Sequence, residues 1–157
     1  MTGGRVAAIR RYVEDDPDGV FCLTYGDGLA DIDLRALLSH HRREGRIATV
    51  TAVRPPGRFG EMELAGSRVT EFNEKPQTTG GLINGGFFVL DAKRIWSYLD
   101  GGPELILEQA PLRRLTADGE LTAFRHDGFW LPMDTYRELK LLDDLWHEGR
   151  APWKVWP

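Results

Sequence analysis

The sequence predicts an α/β fold, and three observations carry the prediction. A dense apolar segment over 20–25, an amphipathic segment opening at Asp33 and a β-rich segment over 47–53 succeed one another as strand, helix and strand. Strand-like and helix-like periods then keep alternating toward the C-terminus. The 157 residues match one ordinary domain, 1–157, large enough to bury a core without disulfides or a structural metal.

Each element has its own local signal. Val6, Ile9, Tyr12 and Val13 recur at helical spacing, so a short amphipathic helix is expected over 5–13, ended by the acidic loop EDDPDG. The run 20–25 is rich in aromatic and β-branched residues, reads as a buried strand and leads into GDG. From Asp33 the period lengthens: Leu34, Leu37, Leu38 and His41 share one helical face, Asp33 is a natural N-cap, and Gly45 follows a basic last turn. With the strand 47–53 this completes the pattern of a parallel crossover. Short strands are expected at 61–64, 68–73 and 82–91, in antiparallel or mixed pairing, with helical segments near 92–99 and 105–115 and a strand over 121–125. The last helix opens on Thr135 and Glu138, a T-x-x-E capping box, and turns Leu139, Leu142, Leu145 and Trp146 inward before Gly149.

Composition removes several classes of function. Lys and Arg number 20 against 24 Asp and Glu, a formal charge of −4, and no basic block offers the phosphate-neutralising footprint that nucleic acid requires. No apolar run approaches the roughly 18 residues of a membrane span, and the first residues lack the apolar stretch of a signal peptide. The lone Cys22, set in what reads as a buried strand, fits a reducing cytoplasm. His40 and His41 are adjacent and so face different ways, His126 and His147 are isolated, and none reads as a metal ligand. The elbow and zinc-site motifs of serine and zinc hydrolases are absent.

The residues that could carry chemistry are mostly acidic or glycine. Asp27 lies between Gly26 and Gly28 just beyond a strand, where open parallel sheets bind ligands; the competing reading is an Asp-Gly hairpin turn. Asp134 precedes the last helix, where it could cap that helix or, if it meets Asp27, complete a hard-oxygen site for magnesium. In EFNEKP, Glu74 and Lys75 end a strand and Pro76 forces a turn, so Lys75 is either a point charge for a phosphate or a solvated side chain. Two glycines interrupt the apolar strand LINGGFFVL, which marks a bulge or a close approach of backbone to a ligand. Asn84 beside them offers a donor and an acceptor to a sugar hydroxyl or settles a turn. TGGR reads as a flexible loop and helix start whose free N–H groups and Arg5 suit an anion. Trp146, Trp153 and Trp156 supply aromatic surface for a subunit contact or for the chain's own core.

Taken in order, TGGR, FCLTYGDG, PPGRFGEMEL, EFNEKP, INGGFFVL, HDGFWLPMDT and APWKVW resemble the glucose-1-phosphate cytidylyltransferases, a branch of the sugar nucleotidyltransferases, from Thr2 to Trp156. The resemblance implies a Rossmann-like, mixed nucleotide-diphospho-sugar transferase sheet. It implies that Asp27 and Asp134 bind Mg²⁺ and that Gly26 backs the approach of nucleotide or substrate. Arg5 matches a substrate-site arginine, and Gly60, Glu74, Lys75 and Asn84 fall in segments that hold the sugar phosphate, with Lys75 facing its phosphate. The implied reaction joins CTP and α-D-glucose 1-phosphate into CDP-glucose and pyrophosphate, toward deoxysugars of bacterial surface polysaccharides such as O-antigen.

One departure accompanies the matches. The family's opening strand and its glycine-rich loop GGxGTRL, followed by a lysine, do not occur in this sequence. The sheet is therefore expected to lack its N-terminal strands and to leave strand 20–25 short of neighbours, prone to pair with another chain in a homo-oligomer, and the chain is expected to have little or no cytidylyltransferase activity without a separate N-terminal half. A non-catalytic sugar-phosphate or sugar-nucleotide binding module and a uridylyl- or thymidylyltransferase of the same family are the alternatives.

Overall fold

The computed structural model describes residues 1–57, 61–73 and 81–156. The chain divides into two compact units: Met1–Tyr25 with Asp33–Thr51 and Gly86–Phe124, and Gly26–Ile32 with Ala52–Gly85 and Arg125–Pro157.

The first unit is built on a four-stranded sheet. Strands β1 (Val20–Thr24), β3 (Ala48–Val53), β6 (Ile83–Asp91) and β7 (Leu121–His126) lie in the order β1-β6-β3-β7, and β1 runs antiparallel to β6 with Val20 opposite Asp91 and Thr24 opposite Phe87. The α/β architecture is the expected one. Strand β6 lies between β1 and β3, the two strands joined by the strand–helix–strand segment. Strand β1 forms the sheet's edge among the described residues, and its alternation leaves Cys22 and Thr24 exposed. Cys22 is thus not the buried thiol expected from its apolar flanks: successive side chains of β1 point to opposite faces of the sheet, and the face carrying Cys22 and Thr24 is open to solvent.

Helix α3 (Leu34–Glu44) forms where its punctuation requires. Asp33 Oδ1 accepts from the amides of Arg35 and Ala36, both at 2.9 Å, and Gly45 closes the helix at φ 64° with its amide on His41 O. The helix buries Leu37 and His41, and the ring Nδ1 of His41 pairs with Thr49 Oγ1 of β3 at 2.8 Å. Burial outweighs the nearby Asp91 carboxylate and holds the His41 pKa below its ordinary value. Phe88 and Leu90 of β6 pack with Ile95 from the 3₁₀ turn Ile95–Tyr98, with Leu107, and with Leu115 of α4 (Ala110–Ala117). Each of these side chains is at most 1% exposed, and burial of each stabilises the unit by about 1.5–3 kcal/mol.

The N-terminus departs from the predicted single helix. It forms α1 (Thr2–Ala8) and α2 (Arg10–Val13), parted at Ile9. Gly3 and Gly4 are helical and closely packed rather than a flexible loop. A Cβ on Gly3 would lie 2.8 Å from Leu105 Cγ, one on Gly4 would collide with Pro103 O, and the Gly4 amide donates to Leu105 O at 3.1 Å. Thr2 Oγ1 accepts from the Leu107 amide at 2.9 Å and donates to Glu108 Oε2 at 2.7 Å; Tyr25 Oη donates to the other oxygen of Glu108. Burial pushes the Glu108 carboxyl up, and these hydrogen bonds outweigh it, so its pKa lies below the usual range.

The second unit contains two small antiparallel ladders. Strand β4 (Glu61–Ala65) pairs with β5 (Arg68–Asn73), and β2 (Gly28–Ala30) pairs with β8 (Trp130–Pro132). Helix α5 (Tyr136–His147) follows β8 and contributes Leu142 to a core with Leu131 and Trp153, so the first Trp of APWKVW packs inside while Trp146 and Trp156 stay about half exposed. No helix among the described residues is long and apolar enough to cross a membrane.

Candidate functional site

The two aspartates singled out in the sequence lie on neighbouring backbone at one end of the β2–β8 ladder. The register pairs Gly28 with Pro132, and the Met133 amide extends it by donating to Asp27 O at 2.8 Å. Asp27 therefore stands opposite Met133, with Asp134 the next residue, although 106 positions lie between the two aspartates in the chain, from 28 to 133. Gly28 opens a strand whose partner is remote, so the Asp-Gly pair is not a hairpin turn.

Capping of α5 falls to other residues. Thr135 Oγ1 accepts from the Glu138 amide at 3.2 Å, while Glu138 Oε2 accepts from the amides of Thr135 and Asp134 at 2.9 and 3.0 Å. The capping box is complete without the Asp134 carboxylate and anchors the Asp134 backbone. Both Asp27 and Asp134 are exposed. Gly26 is exposed too, and a Cβ there would meet nothing within 4 Å, so the fold itself does not require glycine at this position.

The donor chemistry of this pair suits magnesium. Among the described residues no cluster of three or more His, Cys, Asp or Glu side chains could hold a metal. Mg²⁺ does not need one, since it is commonly bound by one or two carboxylates, its own waters and substrate phosphates.

The remaining candidates divide between the units. Asn84 is half-buried in β6, and the neighbouring Gly85 carbonyl accepts from Trp130 Nε1 of β8 at 2.8 Å. One indole thus ties the segment carrying Asn84 to the strand that leads to Asp134. Gly86, at φ 78°, makes its close approach to the chain itself: a Cβ would lie 2.7 Å from Tyr25 Cδ2. Arg5 is exposed on α1 in the first unit and lines an open groove of about 520 Å³ with Met1, Gly4, Gly102 and Pro103. The expectation of free backbone N–H groups at TGGR fails at Gly4 and Arg5, whose amides bond Leu105 O and Met1 O. Gly60, Glu74 and Lys75 lie outside the described residues.

Three residues of the second unit escaped the sequence reading. Trp130 gave no signal beyond its place in HDGFWLPMDT. His126 read as isolated, yet its Nε2 lies 3.0 Å from Asp31 Oδ1 and 3.1 Å from Phe129 O. Asp31 drew no notice because its partner comes from a strand almost a hundred residues away.

Comparison with known proteins bears on the same residues. The Nucleotidyl transferase family model matches residues 2–131. The chain is 48% identical over 156 residues to the glucose-1-phosphate cytidylyltransferases of Salmonella typhimurium strain LT2 and Salmonella typhi, an alignment covering 99% of this chain and 59% of each relative. Among solved structures, HddC from Yersinia pseudotuberculosis matches with a TM-score of 0.66 at 20% identity, over 92% of this chain and 62% of that one, a likeness of fold. The chain thus spans about three-fifths of the length of the curated relatives it matches.

Proposed function

Because this chain belongs to the nucleotidyl transferase family, we propose that it forms the sugar-phosphate and metal-binding part of a glucose-1-phosphate cytidylyltransferase. The reading is carried by the backbone proximity of Asp27 and Asp134 at one end of the β2–β8 ladder. The 48% identity to cytidylyltransferases supports CTP as the nucleotide and glucose 1-phosphate as the acceptor.

In this reading the Asp27 and Asp134 carboxylates hold Mg²⁺, which supplies charge neutralisation to the triphosphate when bound. Asn84 and Glu74 hold sugar hydroxyls, Lys75 faces phosphate charge, and the open space over Gly26 admits the substrate. The sugar phosphate is largely dianionic at pH 7, by analogy with phosphorylated side chains of second pKa about 6, so no strong general base is required. One of its oxygens forms a bond to the α-phosphorus of CTP as the bond to pyrophosphate breaks. The protein's task is alignment and charge compensation. The lone Cys22 and the soluble substrates support a cytoplasmic location.

The 157 residues span about three-fifths of these relatives' length, and in a second reading they bind a sugar phosphate or sugar nucleotide without turnover. One experiment separates the two. Pyrophosphate release from CTP and glucose 1-phosphate with Mg²⁺ is measured on this chain and on a fusion carrying the N-terminal segment of the Salmonella typhimurium relative. Release by the fusion, abolished by Asp27→Asn, supports the transferase reading. A folded fusion that binds glucose 1-phosphate and releases no pyrophosphate supports the binding module and overturns the transferase.

A further inference from the structure

The strongest unassigned constellation lies at the end of the β2–β8 ladder away from Asp27 and Asp134. Asp31 follows β2, and His126 ends β7 shortly before β8. Phe129 O accepts from the Asp31 amide at 3.2 Å and from His126 Nε2 at 3.1 Å. A carbonyl only accepts, so this contact fixes the proton on Nε2. The same nitrogen lies 3.0 Å from Asp31 Oδ1, an atom sealed from solvent and without a hydrogen-bond partner among the described residues.

The pocket around this pair is closed by backbone. A Cβ on Gly128 would lie 2.5 Å from Asp31 Oδ1 and 2.7 Å from His126 Cε1, so the loop between β7 and β8 folds directly onto the two side chains. Each strand of the ladder has only three residues, too few to hold a register by itself. Fixing one end of so short a ladder fixes the other end, where the Met133 amide meets Asp27 O.

We infer that His126 and Asp31 are a positioning pair: they clamp the 126–130 loop to the end of β2 and thereby set the placement of Asp27 relative to Asp134. The inference rests on the metal-binding reading of those two aspartates. It extends that reading to a device that touches neither substrate nor cation, in the way that residues behind a metal's direct ligands tune its affinity.

The test uses the whole chain and two readouts, amide exchange by NMR at Met133 and Mn²⁺ binding by electron paramagnetic resonance. His126→Ala is expected to speed exchange at Met133 by about tenfold and to weaken Mn²⁺ binding by about tenfold, while exchange in β6 stays unchanged. His126→Gln, which restores a donor near the Nε2 position, is expected to recover both to within about threefold of wild type. Asp31→Asn keeps the side chain's shape, serves if His126→Ala does not fold, and is expected to move both readouts in the same direction. A folded His126→Ala or Asp31→Asn protein with both readouts within twofold of wild type overturns the proposal. So does equal impairment in the Gln and Ala variants. If Asp27→Asn leaves Mn²⁺ binding unchanged, the metal reading itself falls and takes the pair's role with it, whatever the exchange at Met133 shows.

Discussion

The ring of Tyr25 occupies the space that a side chain on Gly86 would need, with Cδ2 only 2.7 Å from the position of a Cβ. The two residues are also joined by backbone, the Tyr25 amide donating to Gly86 O at 2.8 Å, and the Tyr25 hydroxyl is held by Glu108. The ring therefore cannot swing aside without losing a half-buried hydrogen bond.

Gly86→Ala should destabilise the protein by about 2–5 kcal/mol. Left-handed backbone at φ 78° costs an L-residue about 1–2 kcal/mol, and displacing a well-packed ring adds about 1–3 kcal/mol. The midpoint of urea unfolding measures it. A shift equivalent to less than about 1 kcal/mol would mean that Tyr25 repacks freely.

Asp27→Asn and Asp134→Asn should each weaken Mn²⁺ binding by at least about tenfold, and in the catalytically complete fusion should lower turnover by about a hundredfold, roughly 2.7 kcal/mol of barrier. Both side chains are exposed, so unfolding free energy should move by no more than about 0.5 kcal/mol. Calorimetric titration and thermal melts on the same samples check both halves of the prediction.

Stability should fall on mild acidification because of His41. The folded ring, 3% exposed and bonded to Thr49, protonates at a lower pH than the unfolded ring, whose ordinary value is 6.5. Between those two pKa values the unfolded state binds more protons, so this contribution is complete above about pH 6.5 and is lost as pH falls below it. Urea midpoints from pH 7.5 to 5.0 should decline in the wild type and decline less in His41→Gln.

Thr135→Ala should cost about 1 kcal/mol through loss of the α5 cap. Glu138→Ala should also weaken Mn²⁺ binding, since Glu138 Oε2 accepts the Asp134 amide at 3.0 Å. Thermal melts and metal titration of the two variants separate the helix effect from the site effect.

The open edge of β1 should make the chain self-associate. Cys22→Lys places a charge at an exposed position of that edge and should lower concentration-dependent light scattering, with unfolding free energy changed by less than about 0.5 kcal/mol.

What was legible in the sequence follows from the range of the forces involved. Asp33 with Gly45 and Thr135 with Glu138 announce α3 and α5 because caps act within a single turn. Strands β2 and β8 gave no such signal: three residues cannot display a period, and each exists only because the other lies alongside it. The backbone proximity of Asp27 and Asp134 is hidden from the sequence for the same reason. Gly3 and Gly4 suggested a supple loop because the carbonyls and the leucine they pack against lie about a hundred residues downstream. Cys22 suggested burial because apolar neighbours do not show which face of a sheet is open to solvent.

The contact between Trp130 and Gly85 gives the molecule a built-in optical gauge. The indole's single donor is committed to the carbonyl next to Asn84, so any occupant that shifts Asn84 strains that bond and alters the emission of one chromophore among five. Under the proposed function, adding glucose 1-phosphate should change the Trp130 emission, giving a titration with no label attached.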